Sequence, residues 1–405
     1  MVKNLEYIQL ESNQIKTSKR EKIMFFLVLL DILFFPYITP LYSSLSMWVL
    51  IFWLPLNLNK LSKTKEVKMF FFALIFILAS TIYSFRFSQS IITANITNTV
   101  ILIYGFLYYF FFRLNFQKYE VNISSFLIGY LVLNAILGLV YYLSPQMYFN
   151  MRSFWTMSGN TIEVGSSLSI YRFTGILSDP NNFAVIINAI TYFLIFNTDT
   201  KVNRKFIIVF LTGFLTVISM STTGLIMFAL LISFAVITKL SKVFLTRKIK
   251  KKNLLFGMVI ISLLPFFLLL INEFFSSEIA VIAINRSESN SADSRIMIWQ
   301  NLLSSKNMLN HLVLGDGGNV IINNRIFRPH NGHFHLIYSY GIITYFIFMY
   351  TFFRIRGNLS FSSLKKYLFL VPIFLGFTVN VGIYENRFIN IMGLLVAAYA
   401  TSKEK

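Results

Sequence analysis

The sequence predicts an all-α polytopic membrane protein with about twelve transmembrane helices, both termini cytoplasmic and two long extracytoplasmic loops. Composition, the length of the apolar runs and the distribution of charge together predict this fold class. Of the 405 residues, 56% are hydrophobic and 13% are charged, and 45 are phenylalanine. A soluble domain with so few charges could not cover its apolar surface, so the bilayer is the natural solvent for most of the chain. We interpret residues 1–405 as a single integral membrane domain.

Apolar runs of spanning length recur along the whole chain. A membrane-spanning helix needs about 20 mostly apolar residues. The candidate spans, in chain order, are residues 23–40, 43–58, 69–85, 95–112, 122–143, 180–197, 205–221, 222–239, 253–272, 333–353, 366–382 and 387–401. The first run has no small-residue cleavage pattern behind it, so we expect a retained span and not a removed signal peptide. The seventh and eighth runs meet at SMSTTG, which must hold the turn between them.

The basic residues divide unevenly between the two sides of this predicted bundle. With the amino terminus inside, nine of the 36 lysines and arginines face outward and the other 27 lie in cytoplasmic segments. The outward residues are Arg86, Arg152, Arg172, Arg286, Arg295, Lys306, Arg325, Arg328 and Arg387. The net charge of +20 is therefore a topology signal and gives no reason to expect nucleic-acid binding. Arginine suits planar recognition of phosphate or carboxylate, although it also tolerates the membrane interface better than lysine does, and both interpretations stay open.

Two extracytoplasmic loops, residues 144–179 and 273–332, are much longer than the others. Long loops in compact proteins are usually functional or disordered, and the tryptophans and apolar runs of these two favour order. In the second loop, SADSRIMIWQNLLSSKNML predicts a short amphipathic helix, which LGDGG ends. The segment NVIINNRIF predicts a small hairpin that turns at Asn323–Asn324.

The densest polar segment, RIFRPHNGHFHLIYSYGI, ends the second loop and leads into the tenth span. Its three histidines, His330, His333 and His335, allow three interpretations. A metal site is disfavoured because their i, i+3, i+5 spacing puts only the first two on one helical face, and because the chain has no cysteine. They are otherwise interfacial polar residues without a role, or one of them is a general base beside an arginine anion site. The nearby arginines favour the last interpretation.

The first long loop ends in YRFTGILSDPNNFAVII, which leads into the sixth span. Asp179 and Pro180 are typical of a helix start, and Asn181 with Asn182 places polar side chains at the mouth of that helix. Simple capping accounts for Asp179 and the asparagines as well as a functional role does. Arg172 lies just outside the span with no local acidic partner except Asp179, so we select it as a candidate anion-binding residue.

Several segments resemble the O-antigen ligase and polymerase superfamily, the Wzy/WaaL-like integral membrane glycosyltransferases with a GT-C-like fold. They are RFTGILSDPNNFA, SMSTTGLIMFALLI, SRIMIWQNLL, LGDGG and PHNGHFHLIYSYGI, in this order across residues 160–350. The resemblance implies a glycan on undecaprenyl diphosphate as substrate, in the bacterial cytoplasmic (inner) membrane, with the active site facing the periplasm or cell exterior. It also implies inverting, metal-independent glycosyl transfer without a cofactor.

The resemblance implies anion-binding roles for particular residues. Arg172 matches the arginine of the first long loop, and Arg295 matches the arginine that precedes the tryptophan. These two, with Arg328, are expected to bind the diphosphate and stabilise it as the leaving group. Asn331, the second residue of the His-Asn pair, is expected to contact the substrate.

The resemblance also implies a base. His330 matches the histidine of the His-Asn pair and is expected to orient or deprotonate the acceptor hydroxyl. His333 and His335 depart from the family pattern, which commonly has apolar or aromatic residues after His-Asn, so the identity of the base among the three histidines stays open.

Polysaccharide (O-antigen or capsule) polymerase is the function we expect from this resemblance. The alternative is an O-antigen ligase that moves finished glycan to lipid A core or to another acceptor. A flippase or transporter is the alternative from a different class, and it is disfavoured because Asp31 is the one clear acid within a predicted span. Expected partners are the undecaprenyl-diphosphate-linked oligosaccharide, membrane lipid, and a chain-length regulator and flippase of the same pathway.

Overall fold

The computed structural model describes most of the chain. The described residues are 19–36, 44–61, 64–119, 121–155, 172–246, 299–300, 302, 312–322, 324–327, 329–354, 365–379, 382 and 385–401. Three predictions lie outside them: the span at 253–272, the roles of Arg295 and Arg328, and most of the amphipathic helix around Trp299.

The described protein is mostly helical, and its helices follow one another through short connections. They are α1 (19–34), α2 (Leu45–Leu61), α3 (Lys65–Tyr83), α4 (Gln89–Lys118), α5 (Ser124–Leu143), α6 (Pro145–Arg152), α7 (Pro180–Phe196), α8 (Val202–Ile218), α9 (Thr222–Thr246), α10 (Gly332–Phe353), α11 (Leu370–Val379) and α12 (Asn386–Thr401). Short 3-10 turns cover Ser84–Arg86 and Lys365–Tyr367, and strands β1 (Val320–Ile322) and β2 (Arg325–Phe327) precede α10.

Four stretches are long and apolar enough to cross a membrane by length and composition: Lys65–Arg86, Gln89–Phe116, Ser124–Leu143 and Gly332–Phe353. Shorter apolar helices cover Leu45–Asn57, Pro180–Phe196 and Thr222–Val236. The protein is therefore a mostly helical, membrane-embedded protein. The count of twelve spans and the orientation of the bundle stay predictions.

Small residues and aromatic rings determine how the central helices pack. α12 lies along α4, and at their crossing a Cβ on Gly393 would come within 3.3 Å of the Gly105 carbonyl oxygen. Small residues let two helix backbones approach in this way where the solvent is lipid. Beside this crossing, the Phe106 ring lies 5.9 Å from that of Phe348 and 5.2 Å from that of Phe352, which joins α4 to α10.

Charged side chains separate the two ends of the bundle. At one end, Glu66 pairs with Arg113 at 3.1 Å and with Arg354 at 3.8 Å. The opposite end holds the start of α7, the α8–α9 turn and the residues just before α12. We call it the site end, and in the orientation expected from the sequence it is extracytoplasmic.

The hairpin expected at Asn323–Asn324 is confirmed. β1 and β2 pair antiparallel with Val320 opposite Phe327 and Ile322 opposite Arg325. The preceding LGDGG loop is buried among α3, α4 and α10. Its Gly317 has φ +76° and lies so close to α3 that a Cβ there would be 2.3 Å from the Ser80 carbonyl oxygen.

Candidate functional site

The start of α7 is fixed by its own sequence. Asp179 is the N-cap, and its Oδ1 accepts hydrogen bonds from the amides of Asn181 at 2.7 Å and Asn182 at 3.0 Å. Pro180 follows in the first turn, where its missing N–H leaves no bond unmade. The capping interpretation of Asp179 is therefore confirmed. It leaves both asparagine side chains directed toward other elements at the site end.

Arg172 is partly buried against the turn between α8 and α9. Its Nε donates to the Ser219 carbonyl oxygen at 3.1 Å, and its Nη2 donates to the Met220 carbonyl oxygen at 2.8 Å and to Asn181 Oδ1 at 3.4 Å. Met220 adopts φ +49°, which turns the chain sharply there. All three acceptors are uncharged, so they orient the guanidinium without neutralising its charge.

A carboxylate that the sequence analysis did not select lies on the other side of the same helix start. Glu385 precedes α12, and its Oε1 accepts from the Ser178 amide at 2.6 Å while its Oε2 accepts from Asn182 Nδ2 at 2.8 Å. Burial, and to a smaller degree the nearby Asp179 carboxylate, raises the pKa of Glu385 to about 7. The one sequence signal for it is the motif YENRF, an acid and an arginine close together before the last span.

Two further arginines lie at the site end. Arg152, at the end of α6, donates from Nη2 to the Ser178 carbonyl oxygen at 2.9 Å. Arg387 is buried in α12 and donates from Nη2 to the Phe35 carbonyl oxygen at 2.6 Å. We use the name α7 cluster for Arg152, Arg172, Asp179, Asn182 and Glu385, which surround the first turn of α7. Such a cluster combines cations that suit an anion with a carboxyl group that can exchange a proton near neutral pH.

The three histidines of the second loop do not form one group. His330 is exposed and has φ +49°, and it precedes α10, so helical spacing does not relate it to His333. The expectation that these two share a helical face is therefore wrong. His335 is buried, with its Nε2 3.4 Å from the Gly318 carbonyl oxygen. Among the described residues, no group of three or more His, Cys, Asp or Glu side chains is placed to hold a metal ion.

Asn331 caps α10. Its Oδ1 accepts from the amides of His333 at 2.9 Å and Phe334 at 3.1 Å, which satisfies two amides that the helix itself leaves unpaired. This contact accounts for the His-Asn pair structurally. A role for Asn331 in substrate binding stays a prediction.

The end of α11 connects the histidine segment to the α7 cluster. His333 packs its ring 4.9 Å from that of Phe374, and its Nε2 lies 3.5 Å from Thr378 Oγ1 near the end of α11. The chain then leads to Gly382, where a Cβ would lie 3.0 Å from Asn182 Oδ1, and to Glu385. The structure therefore brings Arg172 and His333 to opposite sides of the α11–α12 connection.

The fold and the α7 cluster define a helical membrane protein with cations and a protonatable carboxyl group gathered at one end of its bundle. Comparison of the chain with protein-family models, curated proteins and solved structures gives no match.

Proposed function

We propose that the chain is an integral membrane glycosyltransferase that polymerises a polysaccharide. It transfers a growing glycan from undecaprenyl diphosphate to a lipid-linked repeat unit by inverting, metal-independent chemistry. The observation that carries this proposal is the α7 cluster, in which Arg152 and Arg172 lie around the same helix turn as the carboxyl group of Glu385. Arginines stabilise the negative charge that develops on a leaving diphosphate, and a nearby base accepts the proton of the attacking hydroxyl.

The position of the polar groups supports an enzyme over a transporter. Transporters commonly bind substrate near the midplane of the membrane, at ionisable residues or broken helices. Here the α7 cluster lies at helix ends. Asp31, the acid within the first predicted span, lies in the last turn of α1, where its Oδ2 accepts from the Ser46 amide at 2.8 Å. This bond connects α1 to the start of α2, which is a structural role.

A reconstituted assay tests the proposal. Purified protein in lipid nanodiscs is supplied with synthetic repeat units on undecaprenyl diphosphate, with and without a chelator, and the products are separated by size. We expect a ladder of longer glycans on the lipid carrier under both conditions. No lengthening of any repeat unit, or a ladder that the chelator abolishes, contradicts the proposal.

Arg172→Lys tests the role of the guanidinium. Nε and Nη2 of Arg172 reach two different carbonyl oxygens at once, and a lysine ammonium keeps the charge but not this fork. We expect slower transfer from the variant. Arg204→Lys, an exposed position at the opposite end of the bundle, is the matched control and should transfer at the wild-type rate. Equal rates for both variants argue against a specific role for Arg172.

The polymerase and the ligase share this chemistry, and they differ in what accumulates without the protein. Deletion of the gene leaves single repeat units on the lipid carrier if the protein is a polymerase. Whole chains on the carrier identify a ligase that acts on lipid A core or another acceptor.

A further inference from the structure

Glu385 has an environment that suits reversible protonation at the site end. Its two oxygens accept from the Ser178 amide and from Asn182 Nδ2, both of them uncharged donors. A carboxylate oxygen accepts about two hydrogen bonds, so each oxygen has room for one more. The side chain is partly exposed, so a hydroxyl group that arrives at the end of the bundle can reach it.

The charged groups around Glu385 leave its proton affinity high. Asp179, the cap of α7, faces it with a like charge and raises its pKa. Arg152 from α6, Arg172 from the first loop and Arg387 from α12 donate to backbone carbonyl oxygens nearby. Within the described part of the chain, none of these arginines forms an ion pair with the Glu385 carboxylate.

Arg172 and Glu385 are placed to act on one substrate without pairing with each other. Arg172 contacts the side chain of Asn181, and Glu385 contacts the side chain of Asn182. The Cα atoms of consecutive residues are about 3.8 Å apart, so the guanidinium and the carboxylate flank the same turn of α7. An anion bound by the arginine is thereby held beside a group that accepts a proton.

We propose that Glu385 is the catalytic base of the glycosyl transfer, an inference that rests on the proposed function. The acceptor hydroxyl gives its proton to the Glu385 carboxylate as its oxygen forms a bond to the anomeric carbon of the donor. The bond from that carbon to the phosphate oxygen breaks, and the diphosphate leaves with the electron pair. Arg172 stabilises the charge on the departing diphosphate, and Glu385 then releases its proton to water.

The structure gives the histidines less suitable positions. His330 is exposed outside the helix, and His335 is buried beside the Gly318 carbonyl oxygen. His333 is enclosed by the rings of Phe374 and Phe377. Of the described groups that titrate near neutral pH, Glu385 is the one that lies within the α7 cluster.

The test compares Glu385→Gln with Glu21→Gln and His330→Ala in the reconstituted assay across pH. Glu21 is a control of the same chemistry, partly exposed at the opposite end of the bundle and bonded to Lys118. We expect Glu385→Gln to lose about 10²–10⁴-fold of the transfer rate, which is the usual contribution of a general base. Its binding of the lipid-linked donor should remain. Glu21→Gln should transfer normally, and His330→Ala should keep the wild-type pH profile.

The pH profile separates a base from a structural residue. The wild-type rate should rise with pH through about 7 as Glu385 loses its proton. Glu385→Asp should keep part of the rate with this rise moved to another pH, and it serves as the decisive variant if Glu385→Gln elutes as an aggregate.

Two results overturn the inference, and they are distinguishable. If wild-type protein transfers glycan and Glu385→Gln transfers it equally, or if the rise with pH disappears in His330→Ala instead, Glu385 is not the base although the proposed function stands. If wild-type protein lengthens no repeat unit in the assay, the proposed function fails and this inference fails with it.

Discussion

Substitution of Gly175 by alanine tests the support beneath Arg172. Gly175 has φ +57°, and its carbonyl oxygen accepts from the Tyr148 hydroxyl at 2.9 Å. A Cβ at this position would lie 2.2 Å from Asn134 Oδ1 and 2.3 Å from the Phe183 ring. The same Asn134 oxygen accepts from the Ile176 amide at 3.1 Å, so the new methyl group displaces a hydrogen bond that anchors the loop.

The expected loss is the sum of two effects. A non-glycine residue in the left-handed region costs about 1–2 kcal/mol. Overpacking of a filled site costs about 1–3 kcal/mol more. The free energy of unfolding should therefore fall by about 2–5 kcal/mol. The strain falls on the segment that carries both Arg172 and the Ser178 amide, so the transfer rate should fall as well.

Gly129→Ala is the matched control, because Gly129 lies in α5, the same helix that carries Asn134. A Cβ there would meet only the edge of the Phe34 ring, at 3.4 Å, and alanine inside a helix stabilises by about 0.5–1 kcal/mol relative to glycine. Thermal unfolding in nanodiscs should therefore shift down for Gly175→Ala and up or not at all for Gly129→Ala. Equal melting temperatures and transfer rates for Gly175→Ala and wild type would refute the reasoning.

Three further predictions concern single side chains. Tyr148→Phe removes the hydroxyl that donates to the Gly175 carbonyl oxygen, and it should lower the free energy of unfolding by about 1–3 kcal/mol in thermal melts, because buried backbone groups lose a partner. Glu66→Gln leaves the guanidinium of Arg113, whose side chain is 12% exposed, without its anion, and should destabilise by about 3–5 kcal/mol at both low and high salt, whereas a loss that disappears at high salt contradicts a buried pair. Burial raises the pKa of Glu385 from 4.5 to about 7, so the folded state binds more protons than the unfolded state between these values. The stability of wild type relative to E385Q should therefore fall as pH rises from 4.5 to about 7, and a difference that is constant with pH contradicts this.

Local chemistry was sufficient to predict several parts of the fold. Asp179 followed by Pro180 predicts a helix start because the cap and the first turn depend on neighbouring residues alone. The hairpin at Asn323–Asn324 was predictable for the same reason, because two asparagines between apolar runs suit a tight turn.

The composition of the site was less predictable because it depends on contacts between distant segments. Glu385 and Asn182 are 203 positions apart, and no periodicity joins them. The partners of Arg172 include backbone carbonyl oxygens, which leave no mark in a sequence. His330 was expected to share a face with His333, but a left-handed residue before the cap of α10 separates them.

The bond from Arg387 to the Phe35 carbonyl oxygen connects α12 to the end of α1 across 352 positions. α12 also brings Glu385 to the start of α7, and it is made after every other helix described here. A nascent chain therefore inserts its earlier helices while the α7 cluster still lacks its carboxyl group. Biogenesis thus delays chemistry: the protein cannot act on lipid-linked sugars at the translocon, and it acquires activity only when its last helix enters the membrane and closes the bundle.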